Sequence, residues 1–163
     1  FFRTYDFKSI GLRYFNVFGP RQDPKGPYAA VIPKWIKLLI ENEEVEIYGD
    51  GETSRDFCFV ENVVQMNILS AIADSNAKDD VYNVACGNQT SLTELFFLLK
   101  KALIKNNINI SGEPSYKDFR AGDIRHSKAD ISKSVNKLNY SPTHDIEKGI
   151  NDAIGWYIQN LKT

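Results

Sequence analysis

The chain has 163 residues, 42% hydrophobic and 25% charged, with 20 basic and 21 acidic side chains for a formal net charge of −1. That is the make-up of one ordinary domain with a core of its own, and it lacks the basic excess that nucleic-acid or membrane-surface binding requires. No apolar run approaches the roughly 20 residues needed to span a bilayer, and no signal peptide is read in the opening segment, although the first residue is Phe1.

In chain order, Phe1 to Asp6 reads as the tail of a helix that begins upstream. Ser9 to Phe15 is a strand ending at Asn16, and its nearly unbroken apolar run suits burial on both faces. Pro20 to Tyr28 is a loop with two further prolines and a glycine. Ala29 to Glu41 has Val31, Ile32, Trp35, Leu38 and Leu39 at helical spacing, with Pro33 tolerated in the first turn. Val45 and Ile47, then Phe57 and Phe59, have the period-2 spacing of half-buried strands. Glu61 to Ser75 is a second helix, expected to bury Val64, Ile68, Leu69 and Ile72.

Val81 to Ala85 is a short strand closed by a Gly87-Asn88 turn. Ser91-Leu92-Thr93-Glu94 has the capping-box pattern and opens a helix to about Asn106. Glu113 to Arg125 has no clean period and is dense in charged and aromatic residues, as in a surface loop or a segment crossing a binding site. Asp130 caps a short helix to Leu138. Asp145 caps the last helix, with Ile146, Ile150, Ile154, Tyr157 and Ile158 on its inner face. Strands separated by helices predict an α/β architecture. Cys58 reads as a small buried thiol, and the pair Cys58 and Cys86 fits a reducing cytoplasm. His126 and His144 have no ligand-spaced partners, so no metal is assigned.

The stretch richest in chemistry is Tyr48-Gly49-Asp50-Gly51-Glu52-Thr53-Ser54-Arg55-Asp56-Phe57-Cys58-Phe59-Val60. Gly49 and Gly51 permit a tight reversal between two strands. A ring before the turn and a guanidinium after it suit one ligand with a flat base and a phosphate. Read alone, the same residues equally describe a packed strand end and a solvated Arg55–Asp56 ion pair.

Four pieces together resemble the extended short-chain dehydrogenase/reductases. Leu12-Arg13-Tyr14-Phe15-Asn16-Val17-Phe18-Gly19 looks like the strand and loop after their catalytic helix. Val45 to Val60 looks like their nucleotide-binding hairpin. Val81-Tyr82-Asn83-Val84-Ala85 with Gly87 resembles the strand that rejoins their cofactor sheet, and Arg120-Ala121-Gly122-Asp123 their second phosphate- and ribose-binding loop. The likeness runs from about Gly11 to about Leu161. It is strongest to UDP-N-acetylglucosamine 4-epimerases of bacterial polysaccharide pathways, through Arg21-Gln22-Asp23-Pro24 and Ser54 to Cys58. Asn62 departs from the wider pattern, where an aspartate often begins the following helix; asparagine is an adequate cap. No G-x-G-x-x-G or G-x-x-G-x-x-G loop is present, nor any Tyr-x-x-x-Lys pair.

The resemblance implies a C-terminal, substrate-binding half whose Rossmann sheet is completed by an N-terminal NAD-binding half. Residues 1–19 and about 60–90 would contribute to that sheet, and the fragment alone would be inactive. In the family, a tyrosinate takes the C4 hydroxyl proton, the C4 hydride passes to NAD, and the keto sugar swings before hydride returns. Remote binding energy holds the intermediate meanwhile. By resemblance, Arg55 and Arg120 grip the pyrophosphate, where guanidinium forks suit phosphate oxygens. Asn16 adds an uncharged donor, Tyr48 stacks on uracil, Asp123 accepts from ribose hydroxyls, and Val31 lines the base pocket. Ser127, where relatives restricted to non-acetylated sugars carry tyrosine, leaves room for an N-acetyl group, and Gln22 is placed to bond it. Tyr14 and Phe15 lie beside the nicotinamide.

The resemblance further implies a UDP-sugar substrate, a cytoplasmic homodimer, and service in surface polysaccharide or O-antigen sugar supply. The rival readings are an NDP-sugar 4,6-dehydratase or another NDP-sugar epimerase, a non-catalytic nucleotide-sugar-binding module, and an unrelated interaction domain. Strands Ile10–Phe15 and Val81–Ala85, short of sheet partners, are expected to promote association.

Overall fold

Helical spacing of apolar residues sets the longest elements, and the computed structural model describes residues 2–5, 7–24 and 30–161. In chain order they are α1 (Phe2–Tyr5), β1 (Ile10–Tyr14), β2 (Val17–Phe18), α2 (Val31–Ile40), β3 (Glu46–Tyr48), β4 (Ser54–Arg55), β5 (Cys58–Phe59), α3 (Val60–Ala71), a 3-10 turn at Ser75–Ala77, β6 (Asp80–Val84), β7 (Thr90–Ser91), α4 (Leu92–Lys105), β8 (Ser115–Lys117), α5 (Ser132–Leu138) and α6 (Ile146–Leu161). The expected ends of the first helix, Phe1 and Asp6, and Lys25 to Tyr28 of the expected loop with the Ala29 helix start fall outside the described residues.

The α/β class holds, built from small pieces. Among the described residues the strands pair two by two: β1 with β6 in parallel, β2 with β5 in parallel, β3 with β8 in parallel and β4 with β7 antiparallel. The main core lies where α2, α4 and α6 meet, with Ile32, Trp35, Leu99, Leu103, Ile154 and Tyr157 buried. A second cluster, including Met66, Tyr82, Val84 and Tyr140, lies beneath β1, β6, α3 and α5. The joint between the cores is tight. A Cβ on Gly149 would come within 2.8–2.9 Å of the Phe18 and Phe59 rings, so only glycine lets α6 rest against them.

The local capping readings have direct counterparts. Ser91 Oγ accepts from the Glu94 amide at 3.1 Å and Asp145 Oδ1 from the Lys148 amide at 2.8 Å; Asp130 lies one residue before the α5 cap, Ile131, and its Oδ1 accepts from the Ser132 amide at 2.8 Å. Each satisfies an orphan donor of a first helical turn.

Three expectations are corrected. Val45 to Val60 is not a hairpin: β3 pairs with β8, β4 with β7 and β5 with β2. The second helix, α3, turns Val63 and Met66 inward, and leaves Val64 51%, Ile68 57% and Ile72 74% exposed. Its apolar residues occupy two faces, and only one meets this chain's core. Asn62 does not cap α3, which starts two residues earlier. It is fully buried, and its Oδ1 accepts from the Thr143 and His144 amides while Nδ2 donates to the His144 carbonyl at 2.8 Å. An aspartate offers no such donor, which gives the departure from aspartate a structural reason.

Candidate functional site

The site is organised by backbone pairing between distant segments. Parallel β3–β8 pairing sets Tyr48 opposite Lys117, and the Gly49 amide extends it by donating to the Lys117 carbonyl at 2.8 Å. Further on, the Ser54 amide donates to the Arg125 carbonyl at 2.8 Å, and the Ser127 amide donates to the Ser54 carbonyl at 3.1 Å. Residues 117–127 therefore run alongside residues 48–55 from Tyr48 to Arg55. Gly49 makes this approach possible: at φ +87°, a Cβ there would lie 2.4 Å from the Phe119 ring. The Arg125–Asp50 ion pair at 2.6 Å fastens the loop from outside, and the Arg125 guanidinium holds the Asp50 carboxyl below its ordinary range.

That arrangement opens a cavity of about 470 Å³, and six of the residues singled out in the sequence line it: Asn16, Val31, Tyr48, Arg55, Arg120 and Asp123. Arg55 and Arg120, 65 positions apart, face the same concave space. Arg55 is well ordered by its partners: Nη1 donates to the Ser54 carbonyl at 2.9 Å and Nη2 to Asp123 Oδ1 at 3.1 Å. The Arg120 guanidinium stacks on the Tyr48 ring, 3.7 Å from its centroid. The Tyr48 hydroxyl donates to Glu46 Oε2 at 3.2 Å. Asn16, in the left-handed region at φ 35°, donates its Nδ2 to the Asp56 carbonyl at 3.2 Å.

The other four lie elsewhere. Gln22 donates Nε2 to the Val17 carbonyl at 3.0 Å, and its buried Oε1 has no hydrogen-bond partner. Ser127 is half-buried beside Ser54 and does not line the cavity. Tyr14, half exposed, ends β1 and donates its hydroxyl to Asn67 Oδ1 at 3.1 Å. Phe15 follows, its amide donating to the Val84 carbonyl at 3.1 Å.

Lys34, Trp35, Leu38, Glu44 and Glu46 also line the cavity and were not singled out for it. The signal was present. Lys34, Trp35 and Leu38 follow Val31 at i+3, i+4 and i+7, and Glu44 and Glu46 precede Tyr48 at the strand period, on the face opposite Val45 and Ile47.

The sequence alone presents Asp56 only as a surface partner of Arg55. It is fully buried, and its carboxylate accepts from the amides of Cys86 at 3.0 Å, Gly87 at 3.0 Å and Ala129 at 3.2 Å. Burial pushes its carboxyl above the usual range, against the pull of those three donors. It ties the residue after Arg55 to the end of β6 and to the chain beyond Ser127.

Residues 1–85 match the family described as NAD dependent epimerase/dehydratase. The chain is 35% identical over 161 residues to a putative UDP-glucose 4-epimerase of Methanocaldococcus jannaschii, covering 99% of this chain and 49% of that protein. Among solved structures, it is similar to a UDP-N-acetylglucosamine 4-epimerase of Methanobrevibacter ruminantium M1 in complex with UDP-N-acetylmuramic acid. That likeness has 42% identity and a TM-score of 0.84, over 98% of this chain and 49% of the other. It is also similar to the UDP-glucose 4-epimerase of Thermotoga maritima with UDP-glucose, at 35% identity and a TM-score of 0.88, over 99% and 49%. The chain belongs to the NAD-dependent epimerase/dehydratase family, and it spans about half the length of the relatives it matches.

The residues present fit one flank of an NAD site. Tyr14 and Phe15 stand at the carboxyl end of a parallel strand, the end where open parallel sheets receive dinucleotides. The sequence has no glycine-rich loop for the pyrophosphate.

Proposed function

We propose that this chain is the nucleotide-sugar-binding half of a UDP-N-acetylglucosamine/UDP-N-acetylgalactosamine 4-epimerase. The observation that carries the reading is the convergence of Arg55 and Arg120 on one cavity that also holds Tyr48 and Asp123. Two guanidinium groups suit a diphosphate, an aromatic face suits a pyrimidine, and a carboxylate suits ribose hydroxyls. Val31 adds an apolar wall and Asn16 an uncharged donor to the same cavity. Tyr14 and Phe15 would flank bound NAD, which would supply a reversible hydride acceptor for the sugar C4. In this reading β1 and β6, with residues 1–19 and about 60–90, belong to a cofactor sheet completed by the rest of a cytoplasmic homodimeric enzyme of surface polysaccharide or O-antigen sugar supply. The outward Val64, Ile68 and Ile72 face of α3 supports further protein lying over it. No Tyr-x-x-x-Lys pair occurs in the sequence, so the chain by itself should bind and not turn over.

Addition of UDP is expected to raise the unfolding temperature and to release heat in titration, with uridine far weaker. A chain that gives neither response to UDP does not carry this function.

The acetylated sugar is favoured by two features. The relative named a UDP-N-acetylglucosamine 4-epimerase is 42% identical, and Gln22 Oε1 is a buried acceptor with no partner, matched to an acetamide N–H. Ser127 carries only a small side chain, which leaves room for the acetyl group. In the complete enzyme, Ser127→Tyr is expected to suppress turnover of acetylated substrates while sparing UDP-glucose. Equal loss on both, measured as kcat/KM, removes Ser127 from substrate choice.

A further inference from the structure

Tyr48 and Arg120 are both suited to a nucleotide, yet they are stacked on each other. The guanidinium carbon lies over the ring, 3.7 Å from its centroid, on the face a base would need for stacking. The two partners are held very differently. Tyr48 belongs to β3, its neighbour Gly49 is bonded to Lys117, and its hydroxyl is tied to Glu46. Arg120 is exposed in the turn closed by the Asp123 amide to the Arg120 carbonyl, 3.3 Å, where Gly122 takes φ +80°. Arg55 and Arg125 have taken the carboxylates of Asp123 and Asp50. Among the described residues Arg120 makes no ion pair, and its charge rests on the ring. The ring is fixed and its cover moves by side-chain rotation alone, a fast motion for an exposed residue.

We propose that Arg120 makes this site selective for nucleoside diphosphates over nucleosides, by competing with the base for the Tyr48 face. The proposal rests on the nucleotide-sugar reading above. A base that stacks on Tyr48 must first displace the guanidinium. An exposed cation–π contact is weaker than a charged hydrogen bond to phosphate. A nucleoside diphosphate therefore repays the displaced guanidinium at its phosphates, with a surplus. A nucleoside sends it into water and returns nothing. The same residue thus opposes one ligand and holds the other, which a plain phosphate contact does not do.

The test compares UDP and uridine on the native chain and on Arg120→Ala, by calorimetry and by NMR titration. Arg120 is exposed, and an unchanged unfolding temperature verifies the variant's fold. Uridine is expected to bind Arg120→Ala about two- to fivefold more tightly than native, the worth of an exposed cation–π contact. UDP is expected to bind it on the order of two- to fiftyfold more weakly, the worth of a charged hydrogen bond less that of the stacking contact it no longer has to displace. Uridine affinity that is unchanged or lowered while native binds UDP overturns this proposal and leaves the nucleotide-sugar reading standing. A native chain that binds no UDP overturns both.

Discussion

Arg55→Ala should lower the affinity for UDP by about ten- to a hundredfold, the worth of one charged hydrogen bond to phosphate. Arg55 is the better ordered of the two cavity arginines, its side chain 19% exposed and its fork bonded to Ser54 and Asp123. Replacing it removes a preorganised donor and leaves the Asp123 carboxylate unopposed beside a diphosphate, so loss of attraction and new repulsion act in the same direction. Arg55→Lys should recover only part of the affinity, because an ammonium cannot bond Asp123 and a phosphate oxygen in one plane. The cost to folding should be small, below about 1 kcal/mol, since the Arg55–Asp123 pair is partly in solvent. Calorimetric titration with UDP and a parallel thermal melt separate the two effects. A variant that melts normally and binds UDP as the native chain does would remove Arg55 from the site.

Asp56→Asn should do the reverse, damaging the fold first. Its Oδ2 accepts two amides, from Gly87 and Ala129, and its Oδ1 accepts the third, from Cys86. A carboxamide in either orientation turns an NH2 group toward at least one of those N–H donors. With buried donors left unmatched at about 1–3 kcal/mol each, a loss of about 2–4 kcal/mol is expected. For a chain of this length that corresponds to a fall of roughly 5–15 °C in unfolding temperature. The pH dependence carries a second signature. Burial raises the folded-state pKa of Asp56 above its ordinary 3.8, so the folded chain holds this proton more tightly than the unfolded one. The contribution of that group to stability is fully present below 3.8 and is lost as pH rises through the folded value. Urea melts across that range should show the fall in native protein and not in Asp56→Asn. Equal stability of the two proteins would deny Asp56 its structural part.

The legible portions of the molecule are the local ones. Ser91, Asp130 and Asp145 act on amides at most three residues away, and Ile32, Trp35 and Leu39 repeat with the helix, so short-range pattern suffices for both. Strand partners carry no such mark. Two glycines between two apolar stretches suggested a hairpin, whereas the true neighbours of residues 46–59 lie at 17–18, 90–91 and 115–117. Asp56 was hidden for the same reason, since its partners are main-chain amides without a side-chain signature. For α3, hydrophobicity alone did not distinguish the face that meets this core from the one turned outward.

Six of the candidate residues line one cavity; the resemblance picks them out by their order along the chain, without any knowledge of the pairing. Gln22 and Ser127 lie apart from it.

The two segments that line the cavity are joined by amide-to-carbonyl ladders at positions 46–49 and 54, independent of what their side chains are. A frame of that kind can keep its geometry while its residues are exchanged. Under the nucleotide-sugar reading proposed above, new ligand preferences arise by single replacements, on a support that never has to be refolded to accommodate them.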